Sequence, residues 1–145
     1  MTLVNALIGL AVLLAMTVAL GAFLQWRQGR PRRHIPHEVV QPGRLGADSL
    51  GRTATLLQFS TELCSRCPGV HRTLAAVADS REGVAHLDID VTHRPDIAKH
   101  FHILQTPTTL VLDSAGIVQT RVGGVPNRDV LELELSRLTG ETANV

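Results

Sequence analysis

The first hydrophobic pattern along the chain is an almost unbroken apolar stretch from Leu3 to Leu24, in which only Asn5 and Thr17 are polar. A helix over this stretch reaches roughly 33 Å, which is enough to cross a hydrocarbon core of about 30 Å. A cleaved signal peptide fits less well, because it needs a charged start, a shorter apolar stretch and a small-residue cleavage site. The pattern therefore predicts an uncleaved transmembrane anchor over residues 1–26, with residues 3–24 in the bilayer.

The pattern changes at residue 27 to a polar segment rich in proline, glycine and arginine, which extends to residue 50. This composition favours an extended tether over a packed domain, and a short helical turn is expected after Gly46. The arginines at positions 27, 30, 32 and 33 all lie on the C-terminal side of the anchor. The positive-inside rule therefore favours a single-pass protein with a cytoplasmic soluble domain, and an extracytoplasmic domain is the alternative.

Residues 51–140 alternate between strand and helix patterns. Alternating or continuous apolar runs predict four strands, and apolar positions three and four residues apart predict three helices. The strands are Thr53–Ser60, Val84–Asp90, Thr108–Leu112 and Ile117–Val122, and the helices are Ser65–Ser80, Asp96–Phe101 and one between the N-cap Asn127 and Gly140. This order predicts an α/β fold with a mixed four-stranded sheet flanked by helices, in which the first two strands are parallel and the last two form a hairpin. Residues 141–145 are expected to form a tail.

Composition narrows the function. The formal net charge of +1 is near zero, so the overall charge gives no indication of a nucleic-acid partner. The only two cysteines, Cys64 and Cys67, stand in one C-x-x-C motif between the first predicted strand and the first predicted helix of this region. Two cysteines are too few to staple a secreted scaffold, whereas a strand followed by C-x-x-C at a helix start is the layout of a dithiol redox centre. The motif therefore predicts that the two thiols act together.

Two other uses of a C-x-x-C pair are less consistent with the sequence. A zinc site needs two more ligands, and His71, the candidate near the motif, lies on the same short helix as Cys67. A structural disulfide that closes so short a loop contributes little stability. The histidines at positions 93, 100 and 102 lie in a segment typical of a solvated face. We therefore expect neither a metal nor a cofactor.

Several motifs resemble those of thioredoxins. The segment Leu57–Cys67 resembles the active-site segment, and His86–Asp90 resembles the strand that follows the active-site helix. Thr106–Thr108 resembles the loop that carries the family's cis-proline, and Gly123–Gly124 resembles the glycine turn after the hairpin. The resemblance covers about residues 53–138 and implies a membrane-anchored thioredoxin-like protein that exchanges a dithiol with the thiols and disulfides of protein partners.

The resemblance also implies a role for each site residue. Cys64 is the attacking thiol, because backbone N–H groups and the positive end of the helix dipole favour its thiolate. Cys67, buried one turn on, resolves the mixed disulfide. Pro107 is cis and lies beside Cys64, which leaves the Thr106 backbone open to an extended segment of a partner. Arg66 either lowers the thiol pKa with its fixed charge or points to solvent.

Four positions depart from the thioredoxin pattern. Gln58 stands where thioredoxins keep a buried aspartate, and an amide cannot act as a base. His86 stands where a lysine often faces that aspartate; it either replaces the base or is a half-buried strand histidine with one hydrogen bond. Leu63 replaces the aromatic residue before the first cysteine, and Pro68 is expected to disturb the first backbone hydrogen bonds of the helix. These departures favour a dedicated partner or a different redox poise over a general reductase.

Two alternative functions stay open. An extracytoplasmic domain would act as a reductase or oxidase for secreted proteins or for cytochrome c maturation, because the compartment determines the working direction of a dithiol. A non-catalytic adaptor would keep the fold with an idle cysteine pair. The favoured hypothesis is a membrane-tethered thiol–disulfide oxidoreductase whose protein partners come within a tether's length of the bilayer.

Overall fold

The computed structural model describes residues 2–27, 31–33 and 39–140. Its first element is the helix α1, Thr2–Arg27, in which the segment Thr2–Gln25 is long and apolar enough to cross a membrane. The side chains of this segment are exposed along its whole length. A helix that is apolar on every side suits lipid rather than water, which agrees with the predicted span.

Within the described residues, the chain then forms one mixed sheet of five strands. They are β1 (Pro31–Arg33), β2 (Ala54–Ser60), β3 (Val84–Asp90), β4 (Thr108–Asp113) and β5 (Val118–Gly123). The strand order is β1-β5-β4-β2-β3. Strands β2 and β3 are parallel, and the other neighbours are antiparallel. The four predicted strands form the mixed sheet as predicted, and β1 extends it at one edge.

Four further helices accompany the sheet in the part of the chain that the structure describes. They are α2 (Pro42–Leu45), α3 (Cys67–Asp79), α4 (Pro95–His100) and α5 (Arg128–Thr139). Helix α5 begins as predicted, because Asn127 Oδ1 accepts a hydrogen bond from the Asp129 N–H at 2.9 Å. It ends at Gly140, whose φ of 68° lies in the left-handed region that glycine adopts without strain. Local capping chemistry therefore sets both ends of this helix.

The hydrophobic core lies on both faces of the sheet. On one face, Leu57 and Phe59 of β2 pack with Phe101 and other side chains around α4. On the other face, Leu56 packs with side chains of α3 and α5. Neighbouring residues of a strand point to opposite faces, so Gln58 lies on the same face as Leu56, and it is fully buried there. The sheet thus holds a polar side chain on the face that α3 covers.

The linker differs from the predicted extended tether. Residues 31–33 pair with β5, and Val40 and Leu45 are buried in the same core cluster as Phe101. The helical turn α2 lies before Gly46 rather than after it, because Pro42 starts the turn and Gly46, with a φ of 72°, ends it. The other linker residues, 28–30 and 34–38, and the predicted tail, 141–145, lie outside the described residues. Chain that packs on the sheet therefore begins well before residue 51.

Candidate active site

The cysteine pair lies in a tight loop that joins the end of β2 to the start of α3. The Cys64 N–H donates to the Thr61 carbonyl at 3.0 Å, and the Cys67 N–H donates to the Cys64 carbonyl at 3.2 Å. These turns bring the two cysteine Cα atoms to 5.4 Å, and the sulfur atoms form a disulfide. Cys64 is half-buried, whereas Cys67 is buried. Cys64 is therefore the more accessible of the two.

The helix after the motif starts later than the sequence predicts. Helix α3 begins at Cys67 rather than at Ser65, with Arg66 in the N-cap position and Pro68 as its second residue. The N–H groups of a helix's first turn have no intrahelical partner, so a proline there removes no backbone hydrogen bond. The prediction that Pro68 disturbs the helix is therefore wrong. The same geometry puts the disulfide at the N-terminal, positive end of the α3 dipole.

A groove of about 350 Å³ opens beside Cys64. The Thr106–Pro107 peptide bond in its wall is cis, as the resemblance implies. The Pro107 carbonyl accepts the Gly124 N–H at 2.8 Å, and the hydroxyl oxygens of Thr61 and Thr106 lie 3.0 Å apart. The first contact holds the proline loop against the glycine turn after β5, and the second holds it against the cysteine loop. Sequence reasoning did not single out Thr61, because its partner is 45 residues away.

The groove brings together predicted site residues that are distant in sequence. Cys64, Arg66, Thr106 and Pro107 all line it, and Cys67 is the buried end of the disulfide beside it. Arg66 is exposed in this lining, which matches the solvent-facing alternative for its side chain. The arrangement offers an accessible sulfur next to a backbone segment that an extended chain can follow.

A polar chain runs beneath Cys67. Gln58 Nε2 donates to the Cys67 carbonyl at 3.1 Å, and Gln58 Oε1 lies 3.3 Å from His86 Nε2. The Cys67 carbonyl can only accept, so the amide nitrogen must face it, and the amide oxygen must then accept a hydrogen bond from the His86 Nε2–H. Gln58 therefore ties the start of α3 to the strand β3 and takes no part as a base.

His86 is half-buried, and burial is the largest cause that lowers its pKa below the usual 6.5. The neighbouring His71, whose ring centroid lies 4.7 Å away, lowers the pKa further, whereas Asp88 and Asp79 act in the opposite direction. The hydrogen bond to Gln58 requires a proton on Nε2, and the lowered pKa favours the neutral ring over the charged one. Of the two sequence alternatives for His86, these contacts support the half-buried strand histidine.

The outer end of the polar chain is a contact that sequence reasoning missed. His71 Nδ1 lies 3.0 Å from Asp88 Oδ2, and Ser60 Oγ donates to Asp88 Oδ1 at 2.6 Å. Asp88 pairs with Gln58 in the parallel register of β2 and β3, so its side chain points to the α3 face of the sheet. The signal in the sequence was the alternation of β3, which puts Asp88 and His86 on one face.

The sequence matches the family model Thioredoxin over residues 48–136. The chain belongs to the thioredoxin family. Thioredoxin H2 of Arabidopsis thaliana is 28% identical over 83 residues, which cover 57% of this chain and 61% of that protein. The match thus spans rather less than two thirds of the length of that thioredoxin.

Solved thioredoxin structures share the fold. A mutant thioredoxin from Halobacterium salinarum has a TM-score of 0.56 at 19% identity and covers 70% of this chain and 87% of that one. Mitochondrial thioredoxin 3 from Saccharomyces cerevisiae, in its oxidised form, has a TM-score of 0.51 at 22% identity, with 60% and 80% of the two chains covered. At such identities the likeness establishes the thioredoxin fold alone.

Three exposed apolar side chains flank the residues that line the thioredoxin groove. Leu63 and Leu104 are 96% and 95% exposed, and Val125 is 51% exposed. All three lie on the loops that carry the groove-lining residues, at the end of the sheet where β2 and β5 finish. Apolar side chains gathered in one exposed place are typical of an interaction surface, because their burial by a partner is favourable. We name Leu63, Leu104 and Val125 the apolar rim.

Proposed function

We propose that this protein is a membrane-tethered thiol–disulfide oxidoreductase that acts on protein partners. The observation that carries the proposal is the disulfide between half-buried Cys64 and buried Cys67, placed beside the groove of Pro107. Membership of the thioredoxin family supports the same chemistry. Protein thiols and disulfides are the corresponding substrates, and no cofactor takes part in the exchange.

The order of the two steps follows from the accessibility of the two cysteines. In the reduced protein, the Cys64 thiolate attacks a partner disulfide, forms a mixed disulfide and displaces one partner thiolate. The Cys67 thiolate then attacks the Cys64 sulfur, displaces the second partner thiolate and closes the Cys64–Cys67 disulfide. Two electrons pass to the partner, and the two thiol protons end on the partner's sulfur atoms. The reverse sequence oxidises a partner dithiol.

The surroundings of Cys64 support its role as the attacking group. The N-terminus of α3 favours negative charge, so it stabilises the thiolate relative to the thiol. Thr106 and Pro107 line the same groove, where an extended partner segment would follow the Thr106 backbone. Arg66, exposed in the lining, is the second expected contact for the substrate.

Helix α1 supplies the membrane attachment in this proposal. Residues 3–24 would lie in the bilayer, and the arginines that follow favour the cytoplasmic side for the thioredoxin domain. In a reducing cytoplasm the dithiol would work as a reductase.

The cytoplasmic placement of the thioredoxin domain is tested in intact cells. The cells are mildly reduced to open the Cys64–Cys67 disulfide and then treated with a thiol reagent that cannot cross the membrane. Labelling of Cys64 from outside would contradict this placement and favour the extracytoplasmic alternative.

Trapping with Cys67→Ser tests the chemistry. Without a resolving thiol the mixed disulfide persists, so the purified full-length variant should form a stable adduct with a disulfide-bonded peptide. Cys64→Ser is the matched control and should form no adduct, because its remaining cysteine is buried. Failure of Cys67→Ser to form any adduct, with Cys64 inert toward disulfides, would contradict the proposal and favour a non-catalytic adaptor.

A further inference from the structure

We infer that the active-site end of the thioredoxin domain faces the bilayer, so that its partner is an integral membrane protein with cysteines at the membrane surface. The inference rests on the proposed function and on the membrane anchor. It extends the proposed function by specifying the location of the partner's cysteines. Three features carry it: the register of β1, the length of chain between α1 and β1, and the position of the apolar rim.

The register of β1 places the anchor at the active-site end of the sheet. Pro31 pairs with Val122 of β5, Val122 pairs with Thr109 of β4, and Thr109 pairs with Gln58 of β2. These residues form one row across the sheet, and the row leads to the amide that contacts the Cys67 carbonyl. Neighbouring strands lie about 4.8 Å apart, so the Cα atoms of Pro31 and Gln58 are separated by about 14 Å.

After it enters the sheet, the chain runs away from the active site. Arg33 pairs with Thr120, and farther along β5 Val39 forms an isolated bridge with Ile117. Ile117 follows the β4–β5 turn, at the end of the sheet opposite Cys64. Two separate pairings thus give the same direction. The anchor is joined to the domain at the active-site end and not at the opposite end.

The connection between the anchor and the sheet is short. Helix α1 ends at Arg27 and β1 begins at Pro31, so four Cα–Cα steps of about 3.8 Å limit this connection to about 15 Å. A domain of about 100 residues has a radius of gyration of about 13 Å, which corresponds to a diameter of about 34 Å, so a connection of about 15 Å is too short to bring the opposite end of the domain to the bilayer. The connection of about 15 Å and the row of about 14 Å together put the Cα atom of Gln58, whose amide contacts the Cys67 carbonyl, within about 30 Å of the end of α1.

The apolar rim fits a partner in this position. Leu63 and Leu104 are almost fully exposed beside the groove, on the end of the domain that the short connection directs toward the bilayer. A soluble partner would have to enter between the groove and the lipid surface. The loops of an integral membrane protein already occupy that layer, and their apolar and aromatic side chains near the interface can cover the rim.

Quenching by lipid headgroups tests the orientation. In proteoliposomes, a fluorophore on Cys64 of Cys67→Ser reports the active-site end of the sheet. A fluorophore on Ser114→Cys, in the Cys64→Ser/Cys67→Ser background, reports the exposed turn at the opposite end. Lipid with a spin-labelled headgroup should quench the first at least about twofold more, because strand length separates the two ends by about 13 Å or more. Equal quenching, or stronger quenching at position 114, overturns the inference.

An insertion shows whether the short connection sets the orientation. A Gly/Ser segment of about 20 residues between Gln28 and Gly29 adds a mean reach of about 25 Å and should make the two labels equally quenched. The same segment added after Gly140 is the matched control and should leave the difference unchanged. If strong quenching of the Cys64 label survives the first insertion, the short connection does not set the orientation, and that step of the inference is overturned.

The partner is tested separately from the chemistry. In native membranes, Cys67→Ser should form its mixed disulfide with an integral membrane protein, and the insertion after Gln28 should reduce that adduct severalfold. Adducts with soluble proteins alone overturn the inference. The reaction with a disulfide-bonded peptide in detergent does not depend on orientation. Its loss would therefore contradict the proposed function, whereas its persistence without the orientation or the membrane adduct would contradict this inference alone.

Discussion

Replacing Gln58 by leucine tests whether the polar chain beneath Cys67 stabilises the domain as a coupled pair. Gln58 is fully buried and makes two hydrogen bonds, one of 3.1 Å to the Cys67 carbonyl and one of 3.3 Å from His86. The Cys67 carbonyl keeps a helical partner in the variant, since an α-helix pairs it with the N–H four residues on. The loss therefore falls on the His86 Nε2–H, which is left half-buried without an acceptor.

The magnitude follows from the burial of the two partners. An unpaired buried polar group costs about 1–3 kcal/mol, and the partial exposure of His86 puts Gln58→Leu at about 1–2 kcal/mol. His86→Leu leaves the fully buried Gln58 Oε1 without its donor and should cost about 1–3 kcal/mol. The double variant replaces both partners by apolar groups, so its cost should be well below the sum, with a coupling free energy of about 1–2 kcal/mol.

Equilibrium urea unfolding of the full-length oxidised protein in detergent measures these free energies, with circular dichroism as the signal at neutral pH. Gln58→Leu combined with His93→Leu is the matched control, because His93 is exposed and its ion-pair contact is with Glu62. That control pair should be additive. Additivity of Gln58→Leu and His86→Leu to within about 0.5 kcal/mol would refute the reasoning, since contacting partners in one network must show coupling.

Three further predictions concern the free energy of unfolding. Burial lowers the pKa of His86 below 6.5, so its stabilising contribution is complete above that pH and is lost as the pH falls through the lowered pKa. The acid side of the pH–stability profile should be flatter in His86→Gln, and an unchanged profile would contradict this. Gly51→Ala should cost about 1–3 kcal/mol, because the new Cβ overlaps a backbone oxygen, whereas Gly69→Ala, with open space in α3, should stabilise by about 0.5–1 kcal/mol. Equal urea midpoints for the two glycine variants would argue against this contrast. Asn127→Ala removes the cap of α5 and should cost about 1 kcal/mol, with Asn127→Ser nearly neutral; equal losses in both would speak against capping.

Local chemistry in the sequence was sufficient to predict most of the secondary structure. The strand Val84–Asp90 has the predicted bounds, because side-chain alternation operates within the strand itself. Asn127 and Gly140 act on their own neighbours, so both ends of α5 could be predicted. The cysteine motif is local as well. The structure of the linker was harder to predict. A segment that contains Pro42 and Gly46 has the composition of an extended tether, and this composition is the same whether or not Val40 packs on a sheet.

The residues of the candidate site also divide into those that local motifs predict and those that depend on distant contacts. Motifs were enough to name Cys64, Cys67, Thr106, Pro107 and Arg66 as candidates. The support beneath and beside them could not be predicted, because each contact joins residues far apart in the chain. Thr61 meets Thr106 across 45 residues, and Gln58 meets His86 across 28. No local pattern indicates that an amide in a strand will orient itself on a helix carbonyl.

The sequence by itself determined that this protein has an apolar helix, a C-x-x-C motif and the strand and helix order of a thioredoxin-like domain. The tertiary structure alone decided where the anchor joins that domain. Pairing of β1 with β5 depends on backbone groups about ninety residues apart along the chain, and such groups carry no side-chain signal of their partner. That one pairing turns a long tether into a short connection at the active-site end of the sheet.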